Sequence, residues 1–221
     1  FSSSIGNFAV MENSDRLYKI YKEMDFMFFV MSAYLTGGLM MLFNPFITLL
    51  FGGRYCFPMT TVMVIVAEFY ITRMRQTNLL FWNDRYKAVA ESIINLVASL
   101  VLVRQYGVTG IIWGTIISTL CTCAWVEPYI FLKYGVQDAW KKKLRDYFAE
   151  YLKRTLLTAA VSAAAVLWVQ RFPVGNFGIF ILDGLLYTAV FAGVIVLFYR
   201  GSEEYDTLRQ RGLKILKRRA E

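Results

Sequence analysis

Long apolar runs recur along most of this chain, and they constrain its fold more than any other feature. A helix needs about 17–25 predominantly apolar residues to cross the hydrocarbon core of a bilayer. Six stretches satisfy this length, and the segments between them are too short to form a soluble domain. We therefore predict an all-α fold, a polytopic transmembrane helical bundle of about six complete spans. The predicted spans are residues 26–51, 58–81, 88–106, 109–132, 155–172 and 177–199.

Composition and the placement of charge agree with a membrane protein of defined orientation. Hydrophobic residues make up 57% of the chain and charged residues 18%, whereas soluble domains average about 45–50% and about 25%. Of the 24 Lys and Arg residues, all but Arg54, Arg104 and Arg171 fall on one side of the predicted topology. Cytoplasmic loops carry the excess of Lys and Arg, so we predict a multi-pass protein with both ends of this chain in the cytoplasm.

The net charge of +8 is therefore interpreted as a topology signal. The basic tail at residues 201–221 is expected to touch anionic headgroups of the lipid bilayer. Because no aromatic readout surface accompanies it, we predict no nucleic-acid partner.

Catalytic chemistry finds little support in the sequence. The chain has no His, and its three cysteines, Cys56, Cys121 and Cys123, do not have the spacing of a usual zinc site. It also offers no plausible nucleophile–base pair and no acidic metal-binding cluster. We predict no catalytic residues, no metal and no cofactor, and hence a protein that is not an enzyme.

The chain is expected to divide into five segments. Its opening, FSSSIGNFAV, has the character of the end of an earlier span, which predicts a C-terminal fragment of a longer protein. The segments are the end of a truncated helix with a cytoplasmic connector (1–25), a polar-lined four-span part (26–135), a basic cytoplasmic loop (136–154), a terminal two-helix pair (155–200) and a basic cytoplasmic tail (201–221).

A polar stripe follows one face of the third predicted span. Lys87, Glu91, Asn95 and Ser99 recur every four residues, just over one helical turn, so their side chains stack along one side of the helix. In the fourth span, Gly107, Gly110 and Gly114 form a smooth strip where another helix can approach closely.

The second predicted span also carries charge. Glu68 falls near its middle and Arg75 toward its inner end, on a shared face at 100° per residue, whereas Arg73 points about 140° away from Glu68. A charge at the bilayer centre costs about 2.5–3.5 kcal/mol, so these groups must face one another, a cavity or a partner.

Two interpretations of these buried charges remain open. In the first, they join helices: Glu91 pairs with Arg75, while Asn95 and Ser99 hydrogen-bond to a neighbouring helix. In the second, they line a hydrated, partly cationic cavity for an anionic substrate, with a carboxylate that binds a proton or a sodium ion. The clustering of the set favours the cavity. Glu127, beside Pro128 near the inner end, and Asp183 are weaker candidates.

The string MRQTNLLFWNDRYKAVAESIINLVASLVLVRQYGVTGIIWGTIIST, followed by EPYIFLKYG, resembles the C-terminal half of bacterial polysaccharide flippases of the O-antigen type. These belong to the polysaccharide transporter family of the multidrug/oligosaccharidyl-lipid/polysaccharide exporter superfamily. The opening SSSIGNFAVMENSDRLYKIYKEMDF is similar to that family's helix end and following loop. The resemblance covers residues 1 to about 135 well, and the last two spans fit mainly by their number.

The resemblance implies a protein of about fourteen helices in two lobes around a central cavity, in the bacterial cytoplasmic (inner) membrane. Such proteins move undecaprenyl-pyrophosphate-linked oligosaccharide across that membrane by alternating access. The implied partners are this substrate, the lipid bilayer, the N-terminal lobe that this chain lacks, and other polysaccharide-assembly proteins.

The expected site residues follow from the buried charges together with this resemblance. Arg73, Arg75, Lys87 and Asn95 are expected to bind substrate, because a pyrophosphate needs cations on the side where it is loaded. Glu68 and Glu91 are expected to couple transport to an ion.

Three other functions compete with the flippase. A drug or cation antiporter of the same superfamily predicts a cavity dominated by acids and aromatic rings. A membrane enzyme of cell-surface glycan assembly predicts a single indispensable catalytic residue. A non-transporting scaffold predicts that substitutions in the polar stripe have no effect.

Overall fold

The computed structural model describes residues 14–81 and 85–220, and within these ranges it is helical, with no strand. The all-α class is therefore confirmed. The predicted end of a truncated helix lies outside the described residues. The α-helices are α1 (Ser14–Phe51), α2 (Met59–Met74), α3 (Gln76–Phe81), α4 (Arg85–Tyr106), α5 (Val108–Ile130), α6 (Trp140–Arg171), α7 (Phe177–Tyr199) and α8 (Glu203–Ala220), with a 3-10 turn at Gly53–Tyr55 and a π-helical segment at Phe131–Val136.

Five helical stretches in the described part of the chain are long and apolar enough to cross a membrane. They are Ser14–Phe51, Lys87–Tyr106, Val108–Val136, Trp140–Arg171 and Phe177–Tyr199. A membrane-embedded helical protein is thus supported, whereas the prediction of six spans is not confirmed.

The difference arises in the second predicted span, 58–81, which is interrupted. Its α2 helix has 16 residues and its α3 helix has 6. Between them Arg75 has ψ −5°, far from the usual α-helical value of about −42°, so the two helices do not form one regular span.

The first predicted span begins earlier than expected. The helix α1 has 38 residues and includes part of the connector predicted at residues 1–25. Leu17 and Tyr21 are each 2% exposed, so one face of this part of α1 is packed against the protein, while Asp15, Lys19 and Lys22 on the other face are exposed. The helix also continues through Pro45, and it ends at Gly52, whose φ of 93° suits glycine.

The predicted basic loop at 136–154 is likewise mostly helical. Residues from Trp140 onward belong to α6, whose 32 residues also include the fifth predicted span. The helix begins after Gln137 and Ala139, which both have positive φ, and these two residues reverse the chain after the π-helical segment.

The helix α1 lies at the centre of the bundle and contacts α2, α6, α7 and α8. One apolar core joins it to α2, α6 and α7, with Phe29, Tyr70 and Phe191 among its buried members. A second core forms where the start of α1 meets α3 and the π-helical segment, around Tyr21 and Phe131. We refer to this end of the bundle, which also holds α8 and the start of α6, as the basic end.

The hairpin of α4 and α5 is packed closely along its glycines. A Cβ atom at Gly110 would lie 2.3 Å from the Leu102 carbonyl oxygen, and one at Gly114 would lie 2.2 Å from the Ser99 hydroxyl. The close approach predicted for these two glycines is therefore confirmed. Gly107 has a different role, because it forms the turn with φ 59° and has open space around it.

Candidate functional site

Arg75 is the centre of a buried charge cluster at the junction of α2, α4 and α5. Its Nη1 and Nη2 donate to the two Glu91 carboxylate oxygens at 2.7 and 3.3 Å. Its Nη2 and Nε donate to the two Glu127 oxygens at 2.7 and 3.4 Å. A single guanidinium thus holds two carboxylates in paired hydrogen bonds, the geometry that Arg provides and Lys does not.

Lys87 completes the cluster. Its ammonium donates to Oε1 of Glu127, so that Glu127 is shared by two cations. The Glu127 side chain is 2% exposed, that of Lys87 is 9% exposed and that of Arg75 is 12% exposed. Two cations and two carboxylates give a formally neutral cluster, which is the condition under which buried charges are tolerated.

The polar stripe continues from the cluster along α4. The Thr119 hydroxyl of α5 donates to Glu91 at 3.3 Å. One turn further, Asn95 donates to the Thr115 hydroxyl at 3.1 Å, and Ser99 donates to Asn95 at 3.2 Å. The stripe therefore faces α5, and its contacts are those of the interpretation in which polar groups join helices.

Two of the predicted site residues lie outside this cluster. Glu68 is half-buried and accepts a hydrogen bond from the Thr72 hydroxyl, one turn along its own helix, at 2.8 Å. Arg73 is exposed, and its guanidinium carbon lies 5.6 Å from the centre of the Phe69 ring. The structure thus brings together Arg75, Lys87 and Glu91, extends them to Asn95, and leaves Glu68 and Arg73 apart.

A cavity of about 210 Å³ adjoins the cluster. Arg75 and Thr119 lie on one wall, and Tyr147, Phe148 and Tyr151 of α6 provide aromatic rings on another. Arg75 is therefore a member of the neutral cluster and also lines this cavity.

A series of side-chain hydrogen bonds links three helices at the basic end, beside this cavity. The Tyr21 hydroxyl of α1 donates to Oδ1 of Asn78 at 2.6 Å, and Nδ2 of Asn78 donates to the Tyr147 hydroxyl at 3.2 Å. Asn78 is 2% exposed, so this chain fixes α1, α3 and α6 relative to one another at a buried point.

Glu127 belongs to the charge cluster, although the sequence indicated only a weak candidate at this position. Its place near Pro128 and the inner end of a span suggested access to water, but it is buried between Arg75 and Lys87. The sequence did contain a signal for Glu127: two buried cations, Arg75 and Lys87, need two carboxylates to neutralise them, and Glu91 provides only one. Asp183, the other weak candidate, accepts a hydrogen bond from the Trp168 indole at 3.1 Å.

Metal binding has no candidate in the described ranges, where no three His, Cys, Asp or Glu residues are grouped as they would be around an ion. Comparison of the chain with protein-family models, with curated proteins and with solved structures gave no match in any of the three. The geometry of the site and the resemblance described above therefore provide the basis for a functional proposal.

Proposed function

We propose that this chain is part of a membrane transporter of the flippase type, which moves a lipid-linked oligosaccharide precursor of a surface polysaccharide across the bacterial cytoplasmic membrane by alternating access. Both ends of the chain would then face the cytoplasm, and an N-terminal lobe would supply the other wall of the transport cavity. The observation that carries the proposal is Arg75, which is held by two carboxylates and also lines a cavity.

The chemistry of the cluster suits an anionic substrate. A pyrophosphate oxygen offers Arg75 the same paired acceptors that a carboxylate does, so a phosphate can replace Glu91 without leaving the guanidinium unpaired. Lys87 provides a second cation beside it. A bound pyrophosphate brings negative charge that the neutral cluster does not already balance. Glu91, whose side chain is 23% exposed, would therefore move into water or take up a proton when the substrate displaces it, and release of the substrate would restore the original pairs.

A second candidate is a drug or cation antiporter of the same superfamily. It is favoured by Glu127, which gives the cluster as many carboxylates as cations, and by the three aromatic rings of α6 in the adjoining cavity. A cationic substrate would pair with these carboxylates in place of Arg75, and its aromatic contacts would add cation–π attraction.

The test uses the full-length gene in bacterial cells that lack their own polysaccharide flippase. Arg75→Ala and Glu91→Ala are introduced singly, membrane expression is confirmed, and surface polysaccharide and lipid-linked precursor are both quantified. The matched control is Arg104→Ala, since Arg104 is exposed at the other end of α4.

We expect both cluster variants to lose surface polysaccharide and to accumulate precursor, while the control resembles the wild type. Normal surface polysaccharide in both cluster variants would contradict a transport role for these residues. Unchanged polysaccharide combined with lost resistance to cationic drugs would instead identify the antiporter.

A further inference from the structure

A second, larger cavity of about 550 Å³ lies at the basic end, between α1, α6 and α8. Its lining includes four acidic and four basic side chains, so it carries no net formal charge. These are Asp25, Asp146, Glu150 and Glu204, and Lys22, Lys142, Lys143 and Arg154.

Asp25 and Arg154 form a buried ion pair in this cavity. They are 129 residues apart in the chain, and Nη1 of Arg154 donates to Oδ2 of Asp25. Asp25 is 7% exposed and Arg154 is 5% exposed. The guanidinium carbon also lies 5.1 Å from the centre of the Phe29 ring. The pair therefore joins α1 to α6 in a place that water hardly reaches.

The other oxygen of this carboxylate has no hydrogen bond. Oδ1 of Asp25 is buried, and none of the described residues donates to it. The Thr77 hydroxyl of α3 is its neighbour, yet it too lacks a hydrogen bond of ordinary geometry. An unsatisfied buried carboxylate oxygen costs free energy, and Oδ1 has only the Thr77 hydroxyl beside it, so it is the oxygen of this carboxylate that can take up a proton.

Arg154 has a second acidic partner within reach. Its Nε lies 3.3 Å from Oε1 of Glu150, one turn earlier on α6, and the Glu150 side chain is 38% exposed. The guanidinium can thus stay paired through Glu150 if Asp25 loses its charge. Loss of one of two simultaneous partners is a local charge change of the kind on which switching elements depend.

The remaining ionisable groups around Asp25 do not provide another cation at the carboxylate. Lys22 of α1 is bonded to Glu204 of α8, and Lys143 of α6 lies 3.8 Å from Asp15. Lys142 and Asp146 of α6 also line the cavity, and both are exposed to water. The remaining ionisable neighbours are the tyrosines Tyr18 and Tyr21 of α1, Tyr70 of α2, Tyr147 and Tyr151 of α6, and Tyr199 of α7. Among the described groups, Arg154 is therefore the cation on which the charge of Asp25 depends.

We propose that Asp25 is a proton-binding site and that protonation leaves Arg154 paired with Glu150 alone. A proton from the aqueous side enters through the cavity and bonds to Oδ1, which converts the carboxylate to a neutral carboxylic acid. The ionic attraction between α1 and α6 at this point is then lost, and Arg154 keeps its pair with Glu150 within α6. A metal cation is disfavoured at the same oxygen, because the Arg154 charge is already bonded to that carboxylate.

The inference does not depend on the proposed transport function, because it is tested on the purified chain in lipid nanodiscs. Infrared difference spectra are recorded in sodium-free buffer as the pH falls from about 8 to about 5, the range in which buried carboxyl groups titrate. The C=O stretch of a protonated carboxylic acid is the signal. The variants are Asp25→Asn and Asp25→Glu, and the control is Asp146→Asn, an exposed acid on the same cavity.

We expect the carboxylic acid band in the wild type and in Asp146→Asn, and its loss in Asp25→Asn. In Asp25→Glu the band should persist at a shifted frequency, which tests the assignment even if Asp25→Asn fails to fold. The proposal is overturned if the wild type shows no band, if Asp25→Asn retains the whole band, or if the band does not shift in Asp25→Glu.

Discussion

Removal of Arg75 should destabilise the protein more than any exposed arginine does, because it leaves two carboxylates in a buried place with one cation. Loss of one partner of a buried ion pair costs about 3–5 kcal/mol. Glu127 keeps its bond to Lys87, and Glu91, whose side chain is 23% exposed, keeps Thr119 and access to water. We therefore expect about 3 kcal/mol for Arg75→Ala, the lower end of that range.

The stability of a double variant relative to Arg75→Ala provides a second test of the Arg75–Glu91 pairing. Glu91→Gln removes the carboxylate that Arg75→Ala leaves without its cation, so Arg75→Ala/Glu91→Gln should be more stable than Arg75→Ala alone by about 1 kcal/mol. Independent sites would give the opposite result, since their costs would add.

The measurement is the free energy of unfolding of the purified chain, by titration of SDS into mild-detergent micelles, with helical circular dichroism as the signal. Arg104→Ala is the matched control, and we expect it to stay within about 0.5 kcal/mol of the wild type. Arg75 does not hold the cluster together if Arg75→Ala falls within the range of that control, or if adding Glu91→Gln makes it less stable.

Two further predictions concern packing and pH. Gly114→Ala should cost about 1–3 kcal/mol in the same SDS assay, because its Cβ would lie 2.2 Å from the Ser99 hydroxyl oxygen and 2.7 Å from the Ser99 nitrogen. The control Gly193→Ala has open space around it and should be neutral or stabilising. Equal effects of the two substitutions would contradict the close approach of α4 and α5. Burial raises the pKa of Glu204, but the hydrogen bond from Lys22 outweighs burial and holds that pKa below its ordinary value of 4.5. The contact therefore stabilises α8 above about pH 4.5 and is lost as the pH falls through the lowered pKa. We expect faster proteolysis of α8 in acid for the wild type and no such change in Glu204→Gln, and identical acid sensitivity of the two proteins would contradict this.

The helical class and the contact between Arg75 and Glu91 could both be predicted from the sequence, for physical reasons. Hydropathy averaged over a span is a direct measure of what a bilayer tolerates, and a spacing of four fixes which side chains share a helix face. Because the second and third predicted spans are joined by a short turn, Arg75 and Glu91 had to lie close together, and they do.

Other features could not be obtained from the same signals. Hydropathy marks where a membrane begins, not where a helix begins. The predicted boundary after residue 25 therefore divided the charged start of α1 from its apolar continuation, although no proline or run of glycines lies between them. The same averaging hid the interruption at Arg75, which is a matter of backbone conformation. The partners of Asp25 and Glu127 depend on how distant helices pack, and a single sequence contains no record of those contacts.

Tyr147 gives the two cavities a common wall. It borders the cavity beside Arg75 and also the larger one that contains Asp25, while its hydroxyl is tied to α3 through Asn78. A shift of α6 at this residue would reshape both spaces in a single movement. If an occupant of each cavity favoured one position of α6, each would change the other's affinity by the same factor, and the two would be thermodynamically linked without touching.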